Sequence, residues 1–353
     1  MTDYLTIARK KIDQIDHKMI KLFEQRLEVS RNLGLYKKTR KLSVYNPRRE
    51  LELLNQNMRK LRNVKENGIY YRKFFNTVLS ISKIVQREKI THKCGLLGKN
   101  LTHSKSPLIH NVISNLSKRS YSYELIEIEE LNDVKPYLKM LKNGEYLGFN
   151  VTMPYKNSII KYCDYLTPIS YLTGSVNTLY VKRGKIYGDN TDYYGLKFSI
   201  NEIPFDLTNH TIHILGTGST AKTAGYILNE KKVSTKFVSR DATNKKLNFP
   251  IINYDDLEKE NIDIIINATP VGMYPNVNER IIKKDIAKQA NYALDMIYNP
   301  EKSLLLEDAK AGSNGLHMLI VQALESFKLW FAFQLSVTKT TVEKVKINYD
   351  KLL

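Results

Sequence analysis

Cysteine is nearly missing from this chain: Cys94 and Cys163 are the two in 353 residues. Two thiols make neither a disulfide framework nor a zinc site, which favours a cytoplasmic protein with reduced cysteines and no metal. Long apolar runs are missing too. No stretch approaches the roughly 18 apolar residues of a membrane-spanning helix. The opening residues, MTDYLTIARKKIDQID, are charged throughout and lack the apolar core of a secretory signal. Internal repeats and low-complexity segments are absent as well. What remains is ordinary globular composition, 42% hydrophobic and 26% charged, in a chain long enough for two or three domains.

The charge is uneven. Residues 1–90 hold 22 Lys and Arg against 9 Asp and Glu, or +13 of the total +19. A basic third suits nucleic acid, a pocket for small polyanions, or a solvated lysine-rich surface. Which of these applies depends on where particular side chains fall.

Apolar residues recur at steps of three and four through Leu5, Ala8, Ile12, Ile15, Met19, Leu22, Val29 and Leu33. This pattern predicts one amphipathic helix of about 30 residues, longer than a compact domain needs, and so a bundle or a dimer. Arg26 interrupts the apolar seam, and a charge buried there must find an anionic partner or bear a heavy desolvation cost. Lys37 follows eleven residues later, about 20° around the same helix. Asn46-Pro47 reads as the cap and first-turn proline of a second helix, and Asn67-Gly68 as its end. A third helix is expected over Tyr70–Gln86, with Ser82 inside its apolar stripe and Gln86 one turn later.

These positions carry a resemblance. Arg9 in ARKKID, Arg26 in EQR, Lys37 in GLYK, Arg49-Glu50 in NPRRE, and Ser82 with Gln86 in SISKIVQ resemble the all-helical chorismate mutases across residues 5–88. The family's reaction, chorismate to prephenate, is pericyclic and needs no nucleophile. Its demand is to hold two carboxylates and stabilise charge developing on an ether oxygen. The resemblance implies that Arg9 and Arg26 grip carboxylates, with Arg9 supplied by the partner of an intertwined homodimer. It further implies that Lys37 and Gln86 bond the ether oxygen, that Glu50 receives the ring hydroxyl, and that Arg49 and Ser82 complete the site. Asn46 stands where the family usually has Asp, which removes a negative charge from hydroxyl recognition.

Beyond Gln86, strand-like runs alternate with helical patterns: Cys94–Gly98, residues 120–128, Ile212–Leu215, TKFVSR and IDIIINAT. This alternation predicts an α/β fold with a largely parallel sheet. In ILGTGSTAKTAGYIL, residues 214–228, Gly216 and Gly218 lie between a strand and a helix, where backbone N–H groups can cradle a pyrophosphate. Ser219 follows, and Ala221 takes the third glycine's place. About 20 residues on, Arg240 suits a 2′-phosphate and Asp241 a 2′-hydroxyl. Arg240 comes first at the strand end, which favours NADP over NAD.

Chemistry-bearing residues cluster in other motifs: Ser104 and Ser106 in HSKSP, Thr152 and Lys156 in GFNVTMPYK, Asn177 in GSVNTLY, and Asp192 in GDNTDYYG. Together with INATPVGM at 266–273, DMIYNP at 295–300 and GLHMLIVQA at 315–323, they resemble shikimate dehydrogenase from residue 94 to about 345. That family reduces 3-dehydroshikimate reversibly with NADPH. Its fold is a substrate domain split by an inserted Rossmann-type domain. The resemblance implies a substrate domain at 94–203, an NADP domain at 204–312, and C-terminal helices at 313–353 that return to the first. It implies that Ser104, Ser106 and Tyr298 hold the shikimate carboxylate, and that Thr152, Asn177 and Gln322 join Lys156 and Asp192 at the hydroxyls. Lys156 and Asp192 would be the catalytic pair. Gly216, Gly218, Ser219 and Ala221 would line the pyrophosphate, with Arg240 at the adenosine phosphate.

The combined expectation is an all-α domain followed by α/β, carrying a mutase and a dehydrogenase. One alternative is quinate with NAD as the dehydrogenase substrates. In another, the N-terminal domain serves only for dimerisation or feedback binding. Nucleic-acid binding is disfavoured, because the basic third lacks aromatic platforms or recognition motifs.

Overall fold

The computed structural model describes residues 3–39, 46–87, 92–119, 121–242 and 248–352. It divides into two compact units, residues 1–90 and 91–353.

The first unit is helical: α1 (Tyr4–Thr39), α2 (Pro47–Met58) and α3 (Val64–Arg87). α1 extends far enough to carry Lys37. Asn46 caps α2, its Oδ1 accepting the Arg49 N–H at 3.1 Å, and Pro47 occupies the first turn, where a missing N–H costs nothing. The expected break at Asn67-Gly68 is not there, since α3 runs straight through both residues. Gly68 faces the end of α2, where a Cβ would come within 3.1 Å of Met58 Cε. The glycine therefore serves close helix approach, not helix termination. Leu54, Val78, Ser82 and Val85 are buried. Along α1, by contrast, Leu5, Ile12, Ile15, Met19 and Leu22 are each 46–65% exposed.

The second unit begins with β1 (His92–Gly98), α4 (Ser106–Ser117), β2 (Tyr121–Glu127), α5 (Lys135–Lys142), β3 (Tyr146–Val151), β4 (Tyr165–Leu166), α6 (Pro168–Thr173), β5 (Thr178–Lys182), β6 (Lys185–Asp189) and α7 (Asp192–Asn201). Its strands are ordered β2-β1-β3-β5-β6-β4. This sheet keeps the expected parallel pairing of β1 with β2 and β3 and of β4 with β6, while β5 is antiparallel to both β3 and β6. Arg183 and Gly184, both at positive φ, close β5 and β6 into a two-residue hairpin whose twist suits flanking strands.

A second sheet follows: β7 (Thr211–Leu215), α8 (Ser219–Glu230), β8 (Ser234–Val238), β9 (Ile251–Ile252), α9 (Tyr254–Leu257), β10 (Ile264–Asn267), α10 (Lys284–Ala287), β11 (Tyr292–Asp295), α11 (Leu304–Asp308) and β12 (Gly312–Ser313). Every pairing is parallel, in the order β12-β11-β10-β7-β8-β9. The chain reverses direction across the sheet between β7 and β10, the crevice where doubly wound sheets bind ligands. Finally α12 (Leu316–Phe331) and α13 (Lys339–Asp350) pack Ile320, Leu324, Phe327, Trp330 and Val342 against Cys94, Ile109 and Tyr121 of the first sheet's layer. No described helix is long and apolar enough to cross a membrane.

Candidate active site

The β5–β6 hairpin assembles the centre of the site. Thr178 pairs with Asp189, so Asn177, just before β5, lies beside the segment that leads from β6 into α7. There Asn177 Nδ2 donates to Asp192 Oδ1 at 2.8 Å, while its Oδ1 accepts the Thr191 N–H at 2.7 Å. Asp192 opens α7, where the helix dipole favours a carboxylate. Lys156, beyond the end of β3, brings Nζ to 2.6 Å from Asp192 Oδ2, and its carbonyl accepts the Val176 N–H at 2.8 Å. The two side chains are 15% and 11% exposed, so solvent screens this pair little.

A cavity of about 460 Å³, within the range of small-molecule sites, opens around the pair. Ser104, Ser106, Thr152, Lys156, Asn177, Asp192, Tyr298 and Gln322 all line it. One chain segment after another thus delivers the eight residues singled out from the sequence to one enclosure. Burial pushes the Tyr298 phenol up, with the Lys105 N–H opposing, so Tyr298 keeps its proton as a donor. Asn150, which none of the sequence motifs singles out, also lines the cavity. Asn150 Oδ1 accepts from Tyr123 Oη at 2.8 Å, and its Nδ2 donates to the Asn177 carbonyl at 3.2 Å and to Ser326 Oγ at 2.8 Å. Its signal was an amide inside an otherwise apolar strand, GFNV. Tyr123 in turn stacks on His110 at 3.9 Å between ring centroids. Burial drops the His110 pKa to about 3, so this imidazole is a neutral packing group.

The dinucleotide motif lies on the same crevice. Gly216 follows β7 with φ +101, and a Cβ there would strike Thr269 Cγ2 at 2.8 Å. Gly218 faces open space, leaving room for a ligand against the backbone, and Ser219 starts the twelve-residue α8. Ala221 is fully buried, which permits close packing of α8 on the sheet. Thr220 reaches the substrate-sized cavity, so the N-terminus of α8 borders it. Arg240 is exposed just past β8. A strand, a glycine turn and a helix N-terminus beside a basic residue fit a phosphorylated dinucleotide.

In the helical unit, Arg26 Nη1 donates to Ser82 Oγ, joining α1 to α3, and burial pulls the guanidinium below its usual value. Arg9 is exposed and seventeen residues from Arg26, about 25 Å of helix rise, so one chain does not bring the two together. Glu50 is held by Lys83 at 3.0 Å, a partner the sequence did not reveal. Arg49 is exposed and pairs with Glu52 at 3.7 Å, and Asn46 is engaged as the helix cap. Lys37 is half-buried on α1. Gln86 lies in the last turns of α3, and its side chain falls outside the described residues.

The family model of the shikimate dehydrogenase substrate-binding domain matches residues 96–179, and that of chorismate mutase type II matches residues 8–87. A shikimate dehydrogenase (NADP(+)) of Clostridium beijerinckii is 34% identical over 250 residues, 68% of this chain and 92% of that one. Shikimate dehydrogenase 1 of Peptoclostridium difficile superposes with a TM-score of 0.68 at 32% identity, covering 74% of this chain and 98% of that one. A chorismate mutase/shikimate 5-dehydrogenase fusion protein from Clostridium acetobutylicum gives 0.67 at 30% identity, covering 75% and 97%. Fold and site together define a two-lobed α/β protein with a Rossmann-type domain facing a lysine–carboxylate cavity. The chain belongs to the shikimate dehydrogenase family, and a chorismate mutase type II domain precedes that part.

Proposed function

We propose that the chain is a bifunctional, cytoplasmic enzyme of aromatic biosynthesis, reducing 3-dehydroshikimate to shikimate with NADPH and rearranging chorismate to prephenate. The observation that carries the dehydrogenase reading is the Lys156–Asp192 pair inside a cavity lined by every polar residue expected at the substrate. In this reading residues 94–203 and 313–353 form the substrate lobe and 204–312 the cofactor domain.

Ser104, Ser106 and Tyr298 offer hydroxyl donors to the substrate carboxylate. Thr152, Asn177 and Gln322 surround the ring hydroxyls. In the oxidative direction the Lys156–Asp192 pair takes the proton of the reacting hydroxyl, and the Lys156 ammonium stabilises charge developing on that oxygen. Asn177 holds Asp192 in place for this. The nicotinamide cofactor, when bound, accepts or supplies the hydride. Gly216, Gly218, Ser219 and Ala221 shape the pyrophosphate cradle, and Arg240 meets the 2′-phosphate. Arg240→Ala is expected to raise KM for NADP at least tenfold while moving KM for NAD less than threefold, as loss of a charge-assisted contact predicts. Steady-state kinetics with both cofactors checks this, and equal effects would remove Arg240 from the phosphate.

For the mutase, Arg26, Ser82, Lys37 and Gln86 supply the electrostatic surface that a pericyclic reaction needs, and Arg9 comes from a second chain. Support for a homodimer is the apolar face of α1, exposed in one chain from Leu5 to Leu22. A surface of that length calls for a partner.

A further inference from the structure

Ser175 is completely buried, two residues before Asn177. Its turn is fixed by neighbours that lead to the catalytic pair. Gly174 closes α6, and the Ser175 N–H donates to the Ser170 carbonyl at 3.3 Å. The Val176 N–H then donates to the carbonyl of Lys156, and Asn177 goes on to hold Asp192. Across the cleft stands Ser219, the first residue of α8. Ser219 Oγ donates to Ser175 Oγ at 2.6 Å. Beside this contact Ile169, from α6, packs into the core of the second sheet's domain. The hydroxyl pair therefore bridges the lobe that holds Lys156, Asn177 and Asp192 to the helix start that cradles the dinucleotide phosphates.

We propose that Ser175 and Ser219 form a latch coupling dinucleotide binding to substrate binding, with Ser175 as a positioning residue. The inference rests on the dehydrogenase reading above. An anion at the N-terminus of α8 is held by backbone N–H groups and fixes the position of Ser219. Ser219 keeps the buried Ser175 hydroxyl bonded, because withdrawing it would leave that hydroxyl desolvated without this partner. The Ser175 turn then holds Asn177, and through it Asp192, in the arrangement that receives the substrate. Coupling of this kind is reciprocal: shikimate tightens the cofactor by the factor with which the cofactor tightens shikimate.

The test is calorimetric titration of shikimate into the full-length protein with and without NADPH, a combination in which both ligands are reduced and no hydride moves. In the native protein NADPH is expected to tighten shikimate about 5- to 10-fold. In Ser175→Ala this factor falls below twofold, while the affinity for NADPH alone stays within twofold of native. Ser219→Ala, at the partly exposed start of α8, loses the same factor, and the double variant loses no more than either single one. Ser219→Ala also decides the matter if Ser175→Ala does not fold. Native-sized coupling in either folded variant overturns the latch, as does a native protein that binds both ligands without coupling. Failure of the native protein to bind either ligand overturns the dehydrogenase reading itself.

Discussion

Replacing Lys156 or Asp192 with alanine lowers kcat for shikimate oxidation by about two to four orders of magnitude, the range for positioned acid–base groups. The pair is 2.6 Å apart and nearly enclosed, so neither bulk water nor a neighbouring side chain readily substitutes for the missing member. Asp192→Asn separates charge from shape. The amide can still accept from Asn177, but it cannot share a proton with Lys156, so turnover falls nearly as far as in Asp192→Ala. Both residues lie among the elements of the first sheet, away from the glycine turn after β7, so NADPH affinity should change less than twofold in each variant. Stopped-flow measurement of NADPH formation, with cofactor binding as the control, checks this. Near-native turnover in both alanine variants would remove the pair from the chemistry.

Arg26→Ala is expected to cost the mutase about two to three orders of magnitude, because it removes the charge-assisted grip on one substrate carboxylate that holds the reacting geometry. Arg26 reaches from α1 to Ser82 on α3, and no other described arginine of the same chain occupies that place. Arg9→Ala should also disable the mutase, although Arg9 lies far along α1 from Arg26 in its own chain. If sites are shared in a twofold dimer, mixing the two inactive chains gives heterodimers in which one site keeps both arginines. Random mixing then restores about a quarter of native mutase activity, since half the dimers are mixed and each has one intact site. Mixtures that stay inactive, despite exchange of chains, would contradict a shared site. Prephenate binding without turnover by the native protein would instead assign the helical unit to feedback sensing.

Much of this site was legible in the sequence because most of its residues sit in the turns that leave strands or open helices, in short motifs whose order follows the chain, whereas Gln322 lies within α12. HSKSP, GFNVTMPYK, GSVNTLY and GDNTDYYG each deliver their polar side chains to the cavity without any long-range information. What periodicity does not reveal is which polar side chains meet across the interior. Asn150 and Ser326 are 176 residues apart and bond each other, and Ser175 meets Ser219 across 44. Lys83 holds Glu50, 33 residues away, a pairing that no local motif announces. Asn67-Gly68 misleads for a related reason: tertiary approach of Met58 outweighs the local turn preference of the dipeptide. The hairpin at Arg183-Gly184 likewise follows from a turn whose effect on the sheet appears only once β3 pairs with β5.

The central claim, two chemistries in one chain, is tested most directly by assaying one purified preparation for both. NADP+ reduction dependent on shikimate and disappearance of chorismate should each saturate, and neither substrate should inhibit the other's reaction competitively. Lys156→Ala should abolish the first and leave the second intact, and Arg26→Ala should do the reverse. Loss of both activities in either variant while the protein remains folded, or no NADPH formed from shikimate by the native chain, would contradict the account.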